Sequence, residues 1–564
     1  MRSVLRKLEQ VARDPVLRRY LGRRLLGRVT APPMLAAGSH PAYLSVPVSF
    51  SAACAPWLRP AAAPAEPDAP LRLDLPGETV VLSQPSQAFG RTFADIETEA
   101  ALHRFAWLPL NPDVSPDWLW ALWHQWCQRH ADGWDGLAWE AYTAAERVCI
   151  LLDYARRHGV PAPQDDFLTV LAGHAPRILA RLEYQGESAT HNHLANNGRG
   201  LYRLGVELGI DEAAQAGLAI LEAEADRLLL PSGLLREGSS HYHFLYLRNY
   251  ADVWFCARRH ARPETDRLEA LTRRLATPAR SLVLPGGMPL IGDISPDSPP
   301  DHLAGLWTGQ FGQGWTAGLA DDEIKSLEGL LGTLPASDPA LAAADGFLRL
   351  QDGDWALLAR AEPGGWPFYP GHAHQDMGSF ELHHGTLPVI VDPGRGGYGE
   401  SGDAAFYRSA AAHNGITLAD ADPYPANKPY FDDRFRHDVA GPAPEVRLCS
   451  QSTTIAFTGY CRFGIGTVSR TLTLDQDRLI ITDHVDGKGR HPLVRRFHTP
   501  LDIRLESGGV ILGQRFRLSA TGTTITIEPR TLWTSYGRGR PGHAVVLTQN
   551  AALPWSGQTI IEVI

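Results

Sequence analysis

The chain has 564 residues, which is enough for roughly two to four domains of ordinary size. Apolar residues make up 44% and charged residues 20% of the sequence, a globular composition that excludes a disordered chain. The formal net charge of −9 argues against a general nucleic-acid-binding protein, which usually carries a basic excess. No apolar run approaches the ~18 residues of a membrane-spanning helix. We therefore expect a multidomain protein without a nucleic-acid partner and without a membrane span.

Residues 1–95 are predicted to form a basic helix and an irregular lead-in to the first domain. Arginines and leucines are mixed over residues 1–28, as in an amphipathic helix that docks on the protein or a partner, or touches an anionic membrane surface. No apolar stretch of about 7–15 residues follows, so this segment is a poor secretory signal. We therefore expect a cytoplasmic protein, with the periplasm as the alternative. The rest of the lead-in is rich in Ala and Pro, and short strands are predicted around Thr79–Leu82.

Residues 96–340 have the periodicity of helices. Ser115 followed by Pro116 is a typical helix start, and large apolar residues from Trp118 to Trp126 then recur at helical spacing. Several helices of similar length joined by short turns predict a helical bundle or an α/α toroid. The predicted helices lie near Ala141–His158, Phe167–Tyr184, His193–Gly209, Glu212–Leu230, His241–His260 and Pro263–Leu284.

Residues 341–564 change to a period of two, which is typical of strands with one buried face. Because no helical stretches separate these strands, they predict an antiparallel β-sandwich. The expected order is a helical domain over residues 96–340 and a β domain over residues 341–564. Predicted strands include Phe347–Leu350, Pro388–Val391, Val468–Leu474, Leu479–Asp483 and Thr523–Glu528.

Two polar clusters lie at predicted helix starts. The first, residues 190–197, contains two histidines and three asparagines, which are costly to bury without partners. Asn192 could be a helix cap and Asn196 could face solvent. Alternatively, these amides and imidazoles could donate hydrogen bonds to a carboxylate or an enolate. The second cluster, residues 237–243, reads Glu-Gly-Ser-Ser-His-Tyr-His, in which a serine could cap the helix and Tyr242 could belong to the core.

The third cluster is the densest in histidine. It runs Gly-His-Ala-His-Gln-Asp over residues 371–376, just before a strand-like stretch at Ser379–Leu382. Alternate side chains of an extended segment share a face, so His372, His374 and Asp376 are expected on one side. Histidine and aspartate are suitable zinc ligands, and a catalytic zinc needs three protein ligands with one open position. Spacing alone does not show whether three such groups converge.

Three other kinds of site fit the sequence poorly. His-x-His-x-Asp also opens the metallo-β-lactamase motif, but there a further histidine normally follows the aspartate, whereas Met377 follows here. The glycine-rich Gly394-Arg-Gly-Gly397 lacks the Lys-Ser/Thr of a phosphate-binding loop. The six cysteines are scattered without a CxxC pair, which argues against a cysteine-ligated zinc site.

Taken in chain order, these clusters resemble those of the heparinase II/III-like polysaccharide lyases, which are related in fold to alginate lyases. The resemblance spans about residues 118–498, and residues 1–95 lie outside it. Its strongest motifs are Gly371-His-Ala-His-Gln-Asp376, Val391-Asp-Pro-Gly394, Phe406-Tyr-Arg-Ser409 and Ala412-His-Asn414. Further matching motifs are Asn192-His193 with Asn196-Asn197, Glu237–His243, Arg470–Leu472, Asp483–Gly487 and Phe497-His498.

The resemblance implies an incomplete α/α toroid followed by an antiparallel β-sandwich, with the active site in the cleft between them. It implies β-elimination on an anionic, uronic-acid-containing polysaccharide or oligosaccharide, which leaves an unsaturated uronate. By resemblance, Asn192 and His193 would neutralise the substrate carboxylate while an enolate develops. Tyr242 and His372 would act as the base and the acid, in an order that depends on the configuration of the uronate.

The same resemblance implies a zinc ion held by His374, Asp392 and His413. In related lyases this zinc is structural and pins the sandwich loops beside the cleft. Arg408 could orient an acidic substrate or fix its own loop, and Glu381 could orient a ligand histidine. The chain could also form a homodimer. The remaining candidates for substrate binding are Glu237, Asn196 and Tyr407.

Two other functions fit the same features less well. A glycoside hydrolase on the same toroid would need two carboxylates flanking the glycosidic bond, for which Glu237 and Asp376 are conceivable. The richness in histidine, tyrosine and asparagine suits elimination better. A non-catalytic carbohydrate-binding protein of exopolysaccharide production would keep the fold, but the intact Tyr242 and His372 argue against it. Only elimination leaves a conjugated unsaturated uronate, so product chemistry separates these functions.

Overall fold

Helices come first and antiparallel sheets last in the computed structural model. It describes residues 8, 11–12, 15–28, 35–36, 38–67, 69–187, 189–366, 371–424 and 441–564. This order confirms the expected fold, an α/α toroid followed by a β-sandwich. The α-helices described are Pro15–Leu25, Ile96–Arg104, Pro116–His130, Ala141–His158, Gln164–Ala172, His174–Ala180, Asn192–Leu208, Asp211–Leu228, Ser240–Arg259, Thr265–Ala279, Gly305–Thr308, Asp321–Gly332, Pro339–Ala344 and Gly402–Phe406.

The toroid is built from neighbouring helices that pack around apolar cores. Helix Asn192–Leu208 packs against Asp211–Leu228 on one side and against Ala141–His158 on another. The tryptophans from Trp118 to Trp126 are buried, so they belong to the core. None of the described helices is both long and apolar enough to cross a membrane.

The predicted helix Phe167–Tyr184 is wrong, because two short helices, Gln164–Ala172 and His174–Ala180, occupy this stretch. Pro176 has no N–H to donate to the carbonyl of Ala172, so a continuous helix would lose that hydrogen bond. The other predicted helices are confirmed, with ends that shift by a few residues.

In the described part of the C-terminal domain, the strands form three antiparallel sheets. One sheet has eight strands and the other two have four strands each. Val391 N, just after a strand of one four-stranded sheet, donates to His498 O in the other (2.9 Å), so these two sheets lie edge to edge. Trp355, Leu472 and Phe497 are buried in the core of the sandwich. The eight-stranded sheet contains, in spatial order, Glu445–Leu448, Ser452–Phe457, Ile465–Asp475, Arg478–Gly487, Trp555–Val563, Phe516–Ala520, Gly509–Leu512 and Ile503–Glu506. The four-stranded sheets contain Thr524–Ser535, Arg538–Ala552, Arg490–Thr499 and Ile416–Leu418, and Phe347–Asp352, Trp355–Arg360, Phe380–His384 and Leu387–Ile390.

The lead-in contains short strands. Leu71–Leu75 and Glu78–Leu82 form an antiparallel hairpin, which confirms the strand predicted around Thr79. Pro60–Ala61 pairs in parallel with Val160–Pro161 and so ties the lead-in to the toroid.

Candidate active site

Three segments meet where the toroid and the sandwich touch. They are the start of helix Asn192–Leu208, the turn before helix Ser240–Arg259, and the loop of residues 371–377. A fourth segment crosses them at Gly292, which has a φ of +78°. A Cβ atom at Gly292 would lie 2.8 Å from the carbonyl oxygen of His372, so only glycine allows this approach.

The side chain of Asn192 bridges Glu237 and His372. Its Nδ2 donates to Glu237 Oε2 (2.7 Å) and lies 3.0 Å from His372 Nε2, while its backbone N–H donates to Glu237 Oε1 (2.7 Å). Burial raises the pKa of the Glu237 carboxyl, but the hydrogen bonds of His191 and Asn192 outweigh burial and hold that pKa well below its usual range. Glu237 is therefore a buried carboxylate that fixes Asn192, and the structure does not place it as a direct substrate ligand.

His372 is held at both ring nitrogens. Its Nδ1 lies 3.1 Å from Asp293 Oδ2, and its Nε2 faces the Asn192 amide, which can only donate from nitrogen. This hydrogen-bond pattern assigns the ring hydrogen to Nδ1 and leaves Nε2 as an acceptor. An acceptor nitrogen in the cleft is what a proton-transferring histidine requires.

Asp293 is absent from the sequence-based candidates, yet it connects much of the site. It accepts hydrogen bonds from His372, from His374 Nε2 (2.9 Å) and from Arg395 Nη1 (2.7 Å). Burial raises the pKa of Asp293, but Arg395 and the two histidines outweigh burial and hold it well below the usual range. Its only sequence signal is a charge within the otherwise apolar Leu290–Ile294.

Tyr242 lies against both a histidine and a second tyrosine. Its ring stacks on His372, with centroids 3.4 Å apart. Its hydroxyl lies 2.6 Å from the hydroxyl of Tyr398, another residue that the motifs did not reveal. Burial raises the pKa of Tyr242 well above its ordinary value, whereas the hydrogen bond with Tyr398 lowers it. Ser239 caps the helix here by accepting from Tyr242 N (3.1 Å), so the capping serine predicted from the sequence is confirmed.

His193 pairs with Glu183 at the rim of the site. Its Nδ1 lies 2.8 Å from Glu183 Oε1, and its side chain is 44% exposed, so its other nitrogen remains available to a ligand. Burial lowers the pKa of His193, but the charge and hydrogen bond of Glu183 outweigh burial and raise it. A cationic imidazole at the rim suits the neutralisation of a substrate carboxylate.

The predicted zinc ligands His374, Asp392 and His413 are buried close together. His413 Nδ1 lies 2.7 Å from Asp392 Oδ2, and the rings of His374 and His413 have centroids 5.1 Å apart. His374 Nδ1 and His413 Nε2 are buried and have no hydrogen-bond partner in the described part of the chain. Among the described residues, no group of three or more His, Cys, Asp or Glu side chains is arranged to hold a metal ion.

Residues 371–377 form a loop, so the predicted extended segment is wrong. His372 and His374 nevertheless reach the same carboxylate, that of Asp293. Asp376 is buried near Arg360 and His413, and burial raises its pKa to about 6.

Other predicted substrate ligands lie outside this cluster or are already engaged. Asn196 is fully buried, and its Nδ2 donates to Tyr142 O (3.4 Å). The hydroxyl of Tyr407 donates to Thr531 O (3.0 Å) and accepts from Thr531 N (3.2 Å), which fixes it on a strand. Arg408 is half-buried, and its carbonyl oxygen accepts from Gln375 N (3.1 Å).

A cavity of about 570 Å³ lies between the lead-in, the toroid and the sandwich. It is lined by Trp107 and Asp297 from the toroid side and by Tyr536 from the sandwich. Tyr536 Oη accepts from Tyr398 N (3.1 Å), so this cavity adjoins the tyrosine pair.

Residues 335–560 match the model of the family described as heparinase II/III-like, C-terminal. These residues are similar to the C-terminal domain of the heparinase II/III-like family. The heparinase II/III-like domain contains the loop 371–377 and the residues His374, Asp392 and His413, so the predicted resemblance is confirmed for the sandwich. Asn192 and Tyr242 lie in the toroid, outside the matched residues.

Solved structures of heparinases share the fold. A heparinase III is 15% identical, with a TM-score of 0.63 over 84% of this chain and 79% of that chain. Another heparinase III is 16% identical, with a TM-score of 0.56 over 84% of this chain and 80% of that chain. Heparan sulfate lyase HepC from Pedobacter heparinus is 16% identical, with a TM-score of 0.52 over 85% and 79%. No curated protein matches the sequence.

Proposed function

We propose that this protein is a polysaccharide lyase that cleaves a uronic-acid-containing polysaccharide or oligosaccharide by β-elimination. The observation that carries the proposal is the contact between Asn192, His372 and Tyr242 at the seam of the two domains. An amide donor, an imidazole acceptor and a phenol are the groups that elimination beside a carboxylate requires. The family of the sandwich and the shared fold support the same function.

The chemistry of β-elimination explains which role each of these side chains would take. The proton on the carbon beside the carboxylate is a weak acid, so the developing enolate must be stabilised before the proton can leave. His193, whose pKa is raised by Glu183, would pair with the carboxylate, and Asn192 would turn an amide hydrogen from His372 to the same group. Tyr242 and His372 would then remove the proton and protonate the departing glycosidic oxygen.

The carboxylates suit a hydrolase less well. A glycosidase needs one carboxylic acid with a raised pKa to protonate the leaving group. Glu237 is buried, and its pKa is held well below the usual range, so it stays ionised and bound to Asn192. Asp376 has the raised pKa, about 6, but lies buried beside Arg360.

We further propose that the sandwich binds a structural zinc ion at His374, Asp392 and His413. His374 Nε2 and His413 Nδ1 face the carboxylates of Asp293 and Asp392, which leaves the opposite ring nitrogen of each histidine as a buried lone pair without a donor. Such nitrogens, with a carboxylate beside them, suit zinc. Bound there, zinc would pin the loops that carry His372.

The test is ultraviolet absorbance of unsaturated-uronate formation on alginate, heparan, hyaluronan, chondroitin and glucuronate-bearing exopolysaccharides. We expect a signal on at least one polymer and its loss in Tyr242→Phe. New reducing ends without the absorbance would instead establish a hydrolase. Binding that survives Tyr242→Phe, without turnover by the wild type, would establish a carbohydrate-binding protein.

A further inference from the structure

We propose that Tyr398 is a positioning residue for Tyr242. In the resting protein the Tyr398 hydroxyl donates its hydrogen bond to the carbonyl oxygen of Ile294. When Tyr242 becomes a phenolate, the same hydroxyl donates to the Tyr242 oxygen and stabilises its charge. This inference rests on the proposed function for its catalytic meaning. Its structural basis is the contact of the two tyrosine hydroxyls, 2.6 Å apart.

The hydroxyl hydrogens of Tyr242 and Tyr398 can be assigned by counting the donors and acceptors around them. Tyr398 Oη donates to the carbonyl oxygen of Ile294 (3.1 Å), which can only accept. A phenol has one hydrogen, so the Tyr398 oxygen must accept the hydrogen of Tyr242. The shorter bond is therefore donated by Tyr242, and Tyr398 holds its own hydrogen in the longer bond.

This arrangement serves either catalytic role of Tyr242. As the base, Tyr242 must be a phenolate before it takes the substrate proton; as the acid, it becomes a phenolate when it gives its proton to the glycosidic oxygen. In both cases the Tyr398 hydrogen can rotate from the Ile294 carbonyl to the Tyr242 oxygen without breaking a covalent bond. A hydrogen bond to a charged oxygen is stronger than one to a neutral carbonyl, so the exchange is favourable.

Tyr398 is held in place from the sandwich and the lead-in. Its backbone N–H donates to Tyr536 Oη (3.1 Å), and Tyr536 Oη donates to Asp95 Oδ2 (2.8 Å). The rings of Tyr398 and Tyr536 meet edge to face, with centroids 5.1 Å apart. Arg395 Nη2 donates to Gly399 O (3.0 Å), which fixes the other side of the loop. The lead-in, which lies outside the matched family, thus helps to position the tyrosine pair.

The direct test is the ionisation of residue 242 in the full chain, measured without turnover. Tyr242 is replaced by difluorotyrosine, whose phenol ionises at lower pH, and fluorine NMR follows its titration. In the Tyr398→Phe background we expect a pKa about one to two units higher, since one charge-assisted hydrogen bond is lost. The other groups that face Tyr242 are unchanged in this comparison: Asp293, Glu97, Asp297, His372 and His241.

Tyr154→Phe is the matched control. Tyr154 Oη donates to the carbonyl oxygen of Val114 (3.2 Å), so this variant also removes a hydroxyl–carbonyl bond, but in the toroid and away from Tyr242. We expect it to leave the titration of residue 242 unchanged. Tyr536→Phe, which keeps the ring but loses the anchor, is expected to shift the titration less than Tyr398→Phe does.

Kinetics on a cleaved polymer give the second readout. Tyr398→Phe is expected to lower kcat by about 10- to 100-fold with little change in KM, and to move the pH profile in the same direction as the NMR titration. An unchanged titration of residue 242 in a folded Tyr398→Phe protein overturns the inference, whatever the activity. A shifted titration in a protein that cleaves no polymer upholds the contact and refutes the proposed function.

Discussion

The imidazole of His372 lies flat on the phenol ring of Tyr242, with centroids 3.4 Å apart and ring planes inclined by 15°. The two side chains belong to different domains, because Tyr242 lies on helix Ser240–Arg259 and His372 lies in the loop 371–377 of the sandwich. The distance between these two groups, which we propose transfer protons, therefore depends on how the domains pack. Changes far from the substrate can act on catalysis through this seam.

Asn192→Ala is expected to lower kcat by about 10²- to 10³-fold, as the loss of one donor to a developing oxyanion does elsewhere. The variant also leaves Glu237 and His372 without the amide that bridges them. Steady-state kinetics on the cleaved polymer measure the effect. Gln128→Ala, which removes an exposed amide bonded to His124, is the control and should keep wild-type kcat. Equal kcat in Asn192→Ala and Gln128→Ala would exclude a role for Asn192 in the transition state.

Glu183→Gln should shift the basic limb of the pH profile towards lower pH. The charge and hydrogen bond of Glu183 raise the pKa of His193, so the loss of that charge should lower this pKa. If the imidazolium binds the substrate carboxylate, activity is lost as pH rises through the pKa of His193, and the variant loses activity at a lower pH. Arg104 and Glu237, the other charges that act on His193, and the ring of Tyr142 beside it, are unchanged. Superimposable pH profiles of kcat/KM would contradict a cationic His193.

The helices could be predicted from the sequence wherever one face is apolar and the ends carry clear signals. The predicted and observed bounds of helix Ala141–His158 agree at both ends. Gly159, with a φ of +74°, ends this helix. The periodicity predicts one helix over Phe167–Tyr184, but Pro176 cannot donate the backbone hydrogen bond that a continuous helix needs, and the structure has two short helices there.

The site could be predicted only where its residues stand in dense polar motifs. Asn192, His372 and His374 were identified in this way. Asp293, Glu183 and Tyr398 could not be found, since none of them lies in one of these dense polar motifs. Their roles arise from contacts between segments far apart in the chain, and such contacts produce no recognisable residue spacing in the sequence.

Glu237→Gln should destabilise the fold at neutral pH by about 1–3 kcal/mol, because an amide cannot accept at both positions that face Asn192. The pKa of Glu237 is lowered in the folded state, so its stabilising contribution is present above the unfolded-state pKa of about 4.3 and is lost as pH falls through the folded pKa. The difference between wild type and variant should therefore shrink in acid. Urea unfolding across pH measures it, with the exposed Glu328→Gln as control. A difference independent of pH would contradict the buried carboxylate.

Asp483→Ala tests how the sandwich supports the site. Asp483 accepts from Arg470 Nε (2.7 Å) and Nη2 (3.0 Å), and Arg470 Nη1 also donates to Gly378 O and Asn414 O (3.1 and 2.6 Å). Removing the carboxylate leaves a buried guanidinium unpaired, which costs about 3–5 kcal/mol in denaturant unfolding. Asp475→Ala breaks an exposed pair with Arg478 and should cost no more than about 1 kcal/mol. Equal losses in the two variants would contradict this difference.

The protein purified from zinc-containing medium should carry about one zinc ion per chain, and a chelator should lower its Tm, because a ligand that binds only the folded state stabilises it. His413→Ala and His374→Ala should both lose the metal in elemental analysis, since each removes a buried ring nitrogen that has no other partner among the described residues. His484→Ala is the matched control, because His484 is exposed and bonded to Ser556 and Asp486. Zinc that persists in both site variants, or a wild type without zinc and insensitive to chelator, would contradict the site. Loss of zinc together with a reduced kcat would place the ion in support of the loop that holds His372.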